Sequence, residues 1–222
     1  MYHQITLYVY CLCTDEFAVA PKTGNLTSRW WQQIGQDQML WDLGLDDVEN
    51  EELVRQKIEE VEKSFDLVMI AEQFDESLVL MRETLCWDFE DLSSLKLNGR
   101  KEGSKKRMNE TTREHLKTYL KSDYMLYNHF YRIFKNKSKQ LGQERIVSEL
   151  DNLSKVNADK AKACSVTASD NSALRGDSAW WGPGLVGYKV TPGVEEECKL
   201  MVMAELRFVD RIRERQAKRK GN

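Results

Sequence analysis

The apolar positions change period several times along the chain, and each change predicts an element. Between Glu51 and Ser64, residues Leu53, Val54, Ile58 and Val61 share one helical face with charges opposite, which predicts an amphipathic helix. "FDLVMIA" (65–71) follows as an unbroken apolar run, the pattern of a strand buried on both faces. "DESLVLMRETL" (75–85) predicts a helix with Asp75 as N-cap and Glu76 in the first turn, where the helix dipole favours it. "SSLKLN" (93–98) supplies a second strand. Helix, strand, helix, strand in this order predicts an α/β fold with parallel strands.

The rest of the chain is mostly helical in pattern. "NGRKEGSKKRMNE" (98–110) is a polar linker. "TTRE" (111–114) has the form of a capping box, Thr111 with Glu114, opening a helix that runs through Leu120. A longer helix is expected from Asp123 to about Ser154, bent near Gly142. Residues 157–184 read as loop and "LVGYKV" (185–190) as a short strand. A closing helix from Glu195 to about Arg215 would pack Leu200, Met203, Leu206, Val209 and Ile212. Residues 1–50 carry little periodicity. "ITLYVYCLC" (5–13) is apolar but too short to span a bilayer, lacks the flanks of a signal peptide, and reads as a buried strand.

Composition narrows the function classes. The 222 residues can bury a real core. A net charge of −3 argues against a nucleic-acid binder, which needs a concentrated basic face. The one basic run, "RIRERQAKRK", reads as a solvated helix end. Five cysteines contain no CxxC pair and the three histidines are scattered, so no metal site is expected. Four N-x-S/T sequons, at Asn25, Asn109, Asn136 and Asn152, lean toward a glycosylated lumenal protein, with Asn136 as a glycosylation candidate. In such a compartment Cys164 and Cys198 could pair and pin the C-terminal segment. Cys86, between Leu85 and Trp87, reads as a buried free thiol.

Between residues 65 and 100 the sequence becomes specific. Glu72, Phe74, Asp75, Glu76, Ser77 and Leu78, then Leu85, Cys86 and Trp87, then Asn98 and Arg100, resemble the block that marks the galactose 3-O-sulfotransferase family. "MLWDLGLD" (39–46), "YMLYNHFYRIF" (124–134), "WWGPGLVGYKV" and "EECKLMVMAELRF" resemble its flanking segments, so the likeness runs from about residue 36 to about residue 215. It implies part of a sulfotransferase-type, P-loop-like parallel sheet flanked by helices, with a helical C-terminal half. It also implies transfer of a sulfuryl group from 3′-phosphoadenosine 5′-phosphosulfate to the 3-hydroxyl of galactose on a glycolipid or glycan. No metal is involved. The family implies the Golgi lumen or membrane, through an anchor expected to be missing from this chain.

Sulfuryl transfer resembles phosphoryl transfer: charge spreads over equatorial oxygens, and attacker and leaving group lie in line. The donor needs a cation and backbone N–H groups, and the acceptor needs a base. "AVAPKTGNLTSRWW" (18–31) looks like a phosphosulfate loop with Lys22 as its cation. Its spacing to "WDLGLD" is wrong for the family, however, and no apolar helix face follows, so a surface turn is the preferred reading of Lys22. Residues 1–35 are expected to be divergent, 36–215 to be the C-terminal portion of the sulfotransferase domain, and 216–222 a basic tail. The donor-binding half is expected to be missing, leaving either a truncated enzyme or an inactive glycan- or partner-binding fragment.

Glu72, Asp75 and Glu76 follow the expected strand, the edge at which α/β folds bind ligands. Two readings stand for Glu72: catalytic base or hydroxyl ligand, and plain surface carboxylate. His129 reads as packed or solvated rather than catalytic. The pairs Trp30–Trp31 and Trp180–Trp181 read as core or loop anchors rather than sugar platforms.

Overall fold

The computed structural model describes residues 35–97, 99, 101, 109–170, 174, 176–178 and 185–220. They form two compact units. The first takes residues up to Asp88 together with Lys106–Leu150, the second Phe89–Lys105 with Asp151–Asn222.

The first unit is helical. α1 is Gln38–Asp42 and α2 is Glu51–Ser64. The side chain of Asn50 caps α2 by accepting from the N–H groups of Glu52 and Leu53, and Glu51 and Glu52 occupy the first turn where the dipole favours them. α2 buries Val54, Ile58 and Val61 against Leu40, Leu45, Val68, Leu126 and Phe130. Removing such side chains from water stabilises the unit by about 1.5–3 kcal/mol each. α3 is Phe74–Leu85, entered through the 3-10 turn Ala71–Gln73. α4 is Glu110–Tyr119 and α5 is Lys121–Leu141. α6, Gln143–Ala163, runs from the first unit into the second. Gly142, at φ 94°, separates α5 from α6. The single bent helix expected over 123–154 is thus two helices, because that backbone angle breaks the helical ladder.

The expected parallel sheet is not found among the described residues. Phe65 and Ile70 have extended backbone, yet residues 65–70 form no strand and pair with none among the described residues. Two apolar clusters flank the segment: Val68 enters the cluster with Leu126 and Phe130, while Leu67 and Ile70 join Leu80 and Phe134. Burial on both sides explains the unbroken apolar run. Side chains meet part of the backbone's demand that a ladder would have met. The Ser77 hydroxyl accepts from the Ile70 N–H (3.0 Å) and donates to the Ile70 carbonyl (3.1 Å), and Lys137 donates to the Asp66 carbonyl (2.9 Å). Residues 93–97 likewise form no strand.

Two helix starts are also corrected. α3 begins at Phe74, so Asp75 lies in its first turn rather than at its N-cap. α4 begins at Glu110, one residue before Thr111, and its cap is Asn109, whose Oδ1 accepts from the Thr112 N–H (2.7 Å). One side-chain oxygen at the N-cap satisfies an otherwise orphaned N–H, and Asn109 reaches it first.

The second unit carries the sheet that is present: β1 (Thr167–Asp170) antiparallel to β2 (Val186–Lys189), with Thr167 opposite Lys189. Val186 also donates to the Gly99 carbonyl (2.8 Å). The closing helix is broken into α7 (Glu196–Met201) and α8 (Glu205–Lys220). Met203 is buried between them, but Leu206 and Ile212 are exposed, contrary to the packed face expected of a single helix.

Candidate functional site

The specific block of sequence lies where the segment 65–70 turns into α3. Its residues divide by burial. Ser77 is fully buried and holds Ile70, and Leu78 is buried in the unit's interior. Glu76 is mostly covered and engaged. It accepts from the Ser138 hydroxyl and from Lys135 Nζ (3.3 Å) on α5. Lys135 also lies 5.9 Å from the Tyr131 ring centroid and 5.4 Å from that of Phe134, a cation–π arrangement that fixes its ammonium beside Glu76. These residues build the site rather than line it.

Glu72, Phe74 and Asp75 remain exposed, Phe74 with 49% of its surface open. From α5, Tyr127 and Tyr131 pack onto the same cluster as Leu67, Ile70 and Leu80 and stack on each other with centroids 5.7 Å apart. Burial raises the Tyr127 phenol above its ordinary pKa, and the charges of Glu72 and then Tyr131 add to the effect. Glu72 and Tyr127 therefore share one neighbourhood.

This arrangement selects a ligand chemistry. A helix N-terminus ordinarily attracts anions. At α3 the exposed carboxylates are Glu72, in the turn before it, and Asp75, in its first turn, and both repel a phosphosulfate, whereas Glu76 is already paired with Lys135. Exposed carboxylates beside tyrosine rings suit a neutral polyol instead. Carboxylate oxygens accept from hydroxyls, and aromatic faces cover the C–H face of a sugar.

The other candidates lie elsewhere. His129 pairs with Glu62 on α2 (2.6 Å) and contacts the Phe130 ring edge-on. Lys22, Asn25, Asn98, Arg100 and both tryptophan pairs lie outside the described residues. Asn136 is exposed on α5, while Ser138, the third residue of its sequon, is buried against Glu76. Cys164 and Cys198 form a disulfide within the second unit, joining the end of α6 to α7. Cys86 is a free thiol and is exposed, not buried. It ends α3 in the left-handed conformation (φ 54°), which turns it outward. Among the described residues no group of His, Cys, Asp and Glu could hold a metal ion, and no helix is long and apolar enough to cross a membrane.

One buried pair escaped the sequence reading. Asp123 and Asp37, 7% and 1% exposed, sit at the junction of α1 and α5. Asp123 accepts from the Met39 and Leu40 N–H groups (both 3.0 Å), and Asp37 accepts from the Asp123 N–H (2.8 Å). Burial raises both carboxyls, Asp123 to about 6. The signal in the sequence was an aspartate just ahead of α1 and another in the first turn of α5.

A family model for galactose-3-O-sulfotransferase matches residues 2–216, which includes the stretch expected to be divergent. Galactose-3-O-sulfotransferase 2 of Homo sapiens is 32% identical over 216 residues, covering 89% of this chain and 54% of the relative. Galactosylceramide sulfotransferase of Mus musculus is 33% identical over 171 residues, covering 70% and 40%. The chain spans about half the length of the curated relatives it matches. No solved structure matches. The chain belongs to the galactose-3-O-sulfotransferase family.

Proposed function

We propose that this chain provides the acceptor side of a sulfotransferase that moves a sulfuryl group from 3′-phosphoadenosine 5′-phosphosulfate to the 3-hydroxyl of a galactose on a glycolipid or glycan. Family membership supports the reaction class, and the relatives' names support a galactose-bearing acceptor. The observation that carries the acceptor assignment is the exposed carboxylate group at the entrance to α3 beside Tyr127 and Tyr131. It repels the polyanionic donor and offers acceptors to sugar hydroxyls.

In this reading Glu72 accepts the proton of the attacking 3-hydroxyl as the oxygen bonds to sulfur and the bond from sulfur to the donor's 5′-phosphate oxygen breaks, releasing 3′-phosphoadenosine 5′-phosphate. Such a base contributes about 10²–10⁴-fold to the rate. Asp75 holds a neighbouring hydroxyl, and a tyrosine face covers the ring. Glu76 does not react; it ties α3 to α5 through Ser138 and Lys135. The donor is a substrate whose phosphosulfate needs cations and N–H donors, and the α3 entrance is unfit for it. Those contacts lie outside this site. A place in the Golgi lumen belongs to the same proposal; the Cys164–Cys198 disulfide supports an oxidising compartment.

Saturation-transfer NMR on the chain tests the reading. Methyl β-galactoside should receive saturation, and methyl β-glucoside, which differs only at C4, should receive much less. An equal response to both sugars, or none to either, overturns it.

A further inference from the structure

Helix α8, Glu205–Lys220, is exposed along nearly its whole length. Leu206, Phe208 and Ile212 are 51%, 41% and 41% exposed, and all three belong to this one helix. At about 100° per residue, Phe208, Ile212, Val209 and Leu206 fall within about 160° of arc and form one stripe.

The charges are not spread evenly around that stripe. The helix carries seven basic and three acidic residues, a net of +4. Arg211, Arg215 and Arg219 run along the Phe208 edge, and Arg213, paired with Asp210 (3.4 Å), lies near the Leu206 edge. Asp210 and Glu214 fall outside the stripe and line the open groove between α7 and α8 together with Arg211, Arg213 and Arg215; Arg211 pairs there with Glu196. Glu205 is the one acid in that arc, in the first turn, where the dipole favours it, and Arg213, Gln216 and Arg219 also fall within it, so the apolar part of the stripe is confined to the first half of the helix.

We propose that α8 lies on an anionic lipid surface, with Leu206, Phe208 and Ile212 inserted at the headgroup boundary and Arg215 and Arg219 on lipid phosphates. An apolar stripe edged with arginine on a helix of low mean hydropathy is the pattern of a helix lying in the interface plane. Each basic residue near an anionic surface strengthens binding about fivefold. A second copy of the helix fits poorly, because two faces of this charge repel. Nucleic acid would leave the aromatic and aliphatic side chains in water.

Co-sedimentation of the full chain with vesicles tests this. Phosphatidylcholine vesicles containing about a third phosphatidylserine should bind the protein at least about tenfold more tightly than phosphatidylcholine alone, with the difference shrinking as salt rises. Phe208→Ser with Ile212→Ser should weaken binding about tenfold. Arg215→Glu with Arg219→Glu should abolish the preference for anionic lipid. All four side chains are exposed, so both variants should keep the parent's circular dichroism and melting curve. Three results overturn the proposal: no binding to either vesicle, binding indifferent to both variants, or concentration-dependent dimers without lipid binding that Phe208→Ser with Ile212→Ser dissolves.

Discussion

Asp37 and Asp123 cap each other's helices. The Asp123 carboxylate accepts from two N–H groups at the start of α1, and Asp37 accepts from the Asp123 N–H at the start of α5. Residues more than eighty positions apart are joined through a buried junction (one Asp37 oxygen has no hydrogen-bond partner among the described residues). Two carboxylates beside each other and out of water resist ionisation, and desolvation is the larger cause.

A pH dependence follows, with a definite sign. The Asp123 pKa is about 6 in the folded protein against 3.8 for the free side chain. Its contribution to stability is full below pH 3.8 and is lost as pH rises through 6, by roughly 3 kcal/mol across the window. Asp123→Asn should flatten the curve of unfolding free energy against pH between about 4 and 6. A variant whose curve keeps the wild-type slope there would show that Asp123 titrates normally.

Leu78 is 5% exposed inside the first unit. Leu78→Asp places an unpaired charge among apolar side chains and should cost at least about 3 kcal/mol. Chemical denaturation of the soluble variant measures this; an unchanged midpoint is incompatible with the interior described.

Ser77→Ala isolates the device that replaces a strand ladder. The Ile70 N–H would lose its hydroxyl partner inside the fold, a cost of about 1–3 kcal/mol for an unsatisfied group, while the Ile70 carbonyl keeps the Gln73 N–H (2.9 Å). The Ile70 amide should also exchange faster with solvent. Retained exchange protection would mean that another group satisfies it.

The Cys164–Cys198 bond closes a loop across 34 positions, and a cross-link of this length stabilises by about 4 kcal/mol in the chain-entropy picture. Cys198→Ser should lower the unfolding free energy of the second unit by a substantial part of that. Little change on substitution would place the loop's order in its packing instead.

The helices were legible because their faces bury in one direction. Val54, Ile58 and Val61 announced α2, and α5 was expected as the first part of a longer helix from Asp123. The parallel sheet was misread because an unbroken apolar run records burial on both sides and not what satisfies the backbone. At Ile70 a hydroxyl seven residues away does that. Cys86 was misread for a similar reason: apolar neighbours suggested burial, but its left-handed backbone turns the thiol outward. At the site, the carboxylates of Glu72, Asp75 and Glu76 were visible as residues. Their division into exposed and engaged groups was not, because it depends on Lys135 and Ser138, about sixty positions away on α5.

The most direct test is the affinity of the chain for a β-galactoside, with and without Glu72. Wild-type protein should bind methyl β-galactoside with a millimolar Kd, since a single sugar makes few contacts. Glu72→Gln should weaken that binding at least about fivefold, the loss of a charge-assisted hydrogen bond, with an unchanged melting curve because Glu72 is exposed. Equal affinity in the two proteins would contradict the account and leave the entrance to α3 an ordinary charged surface.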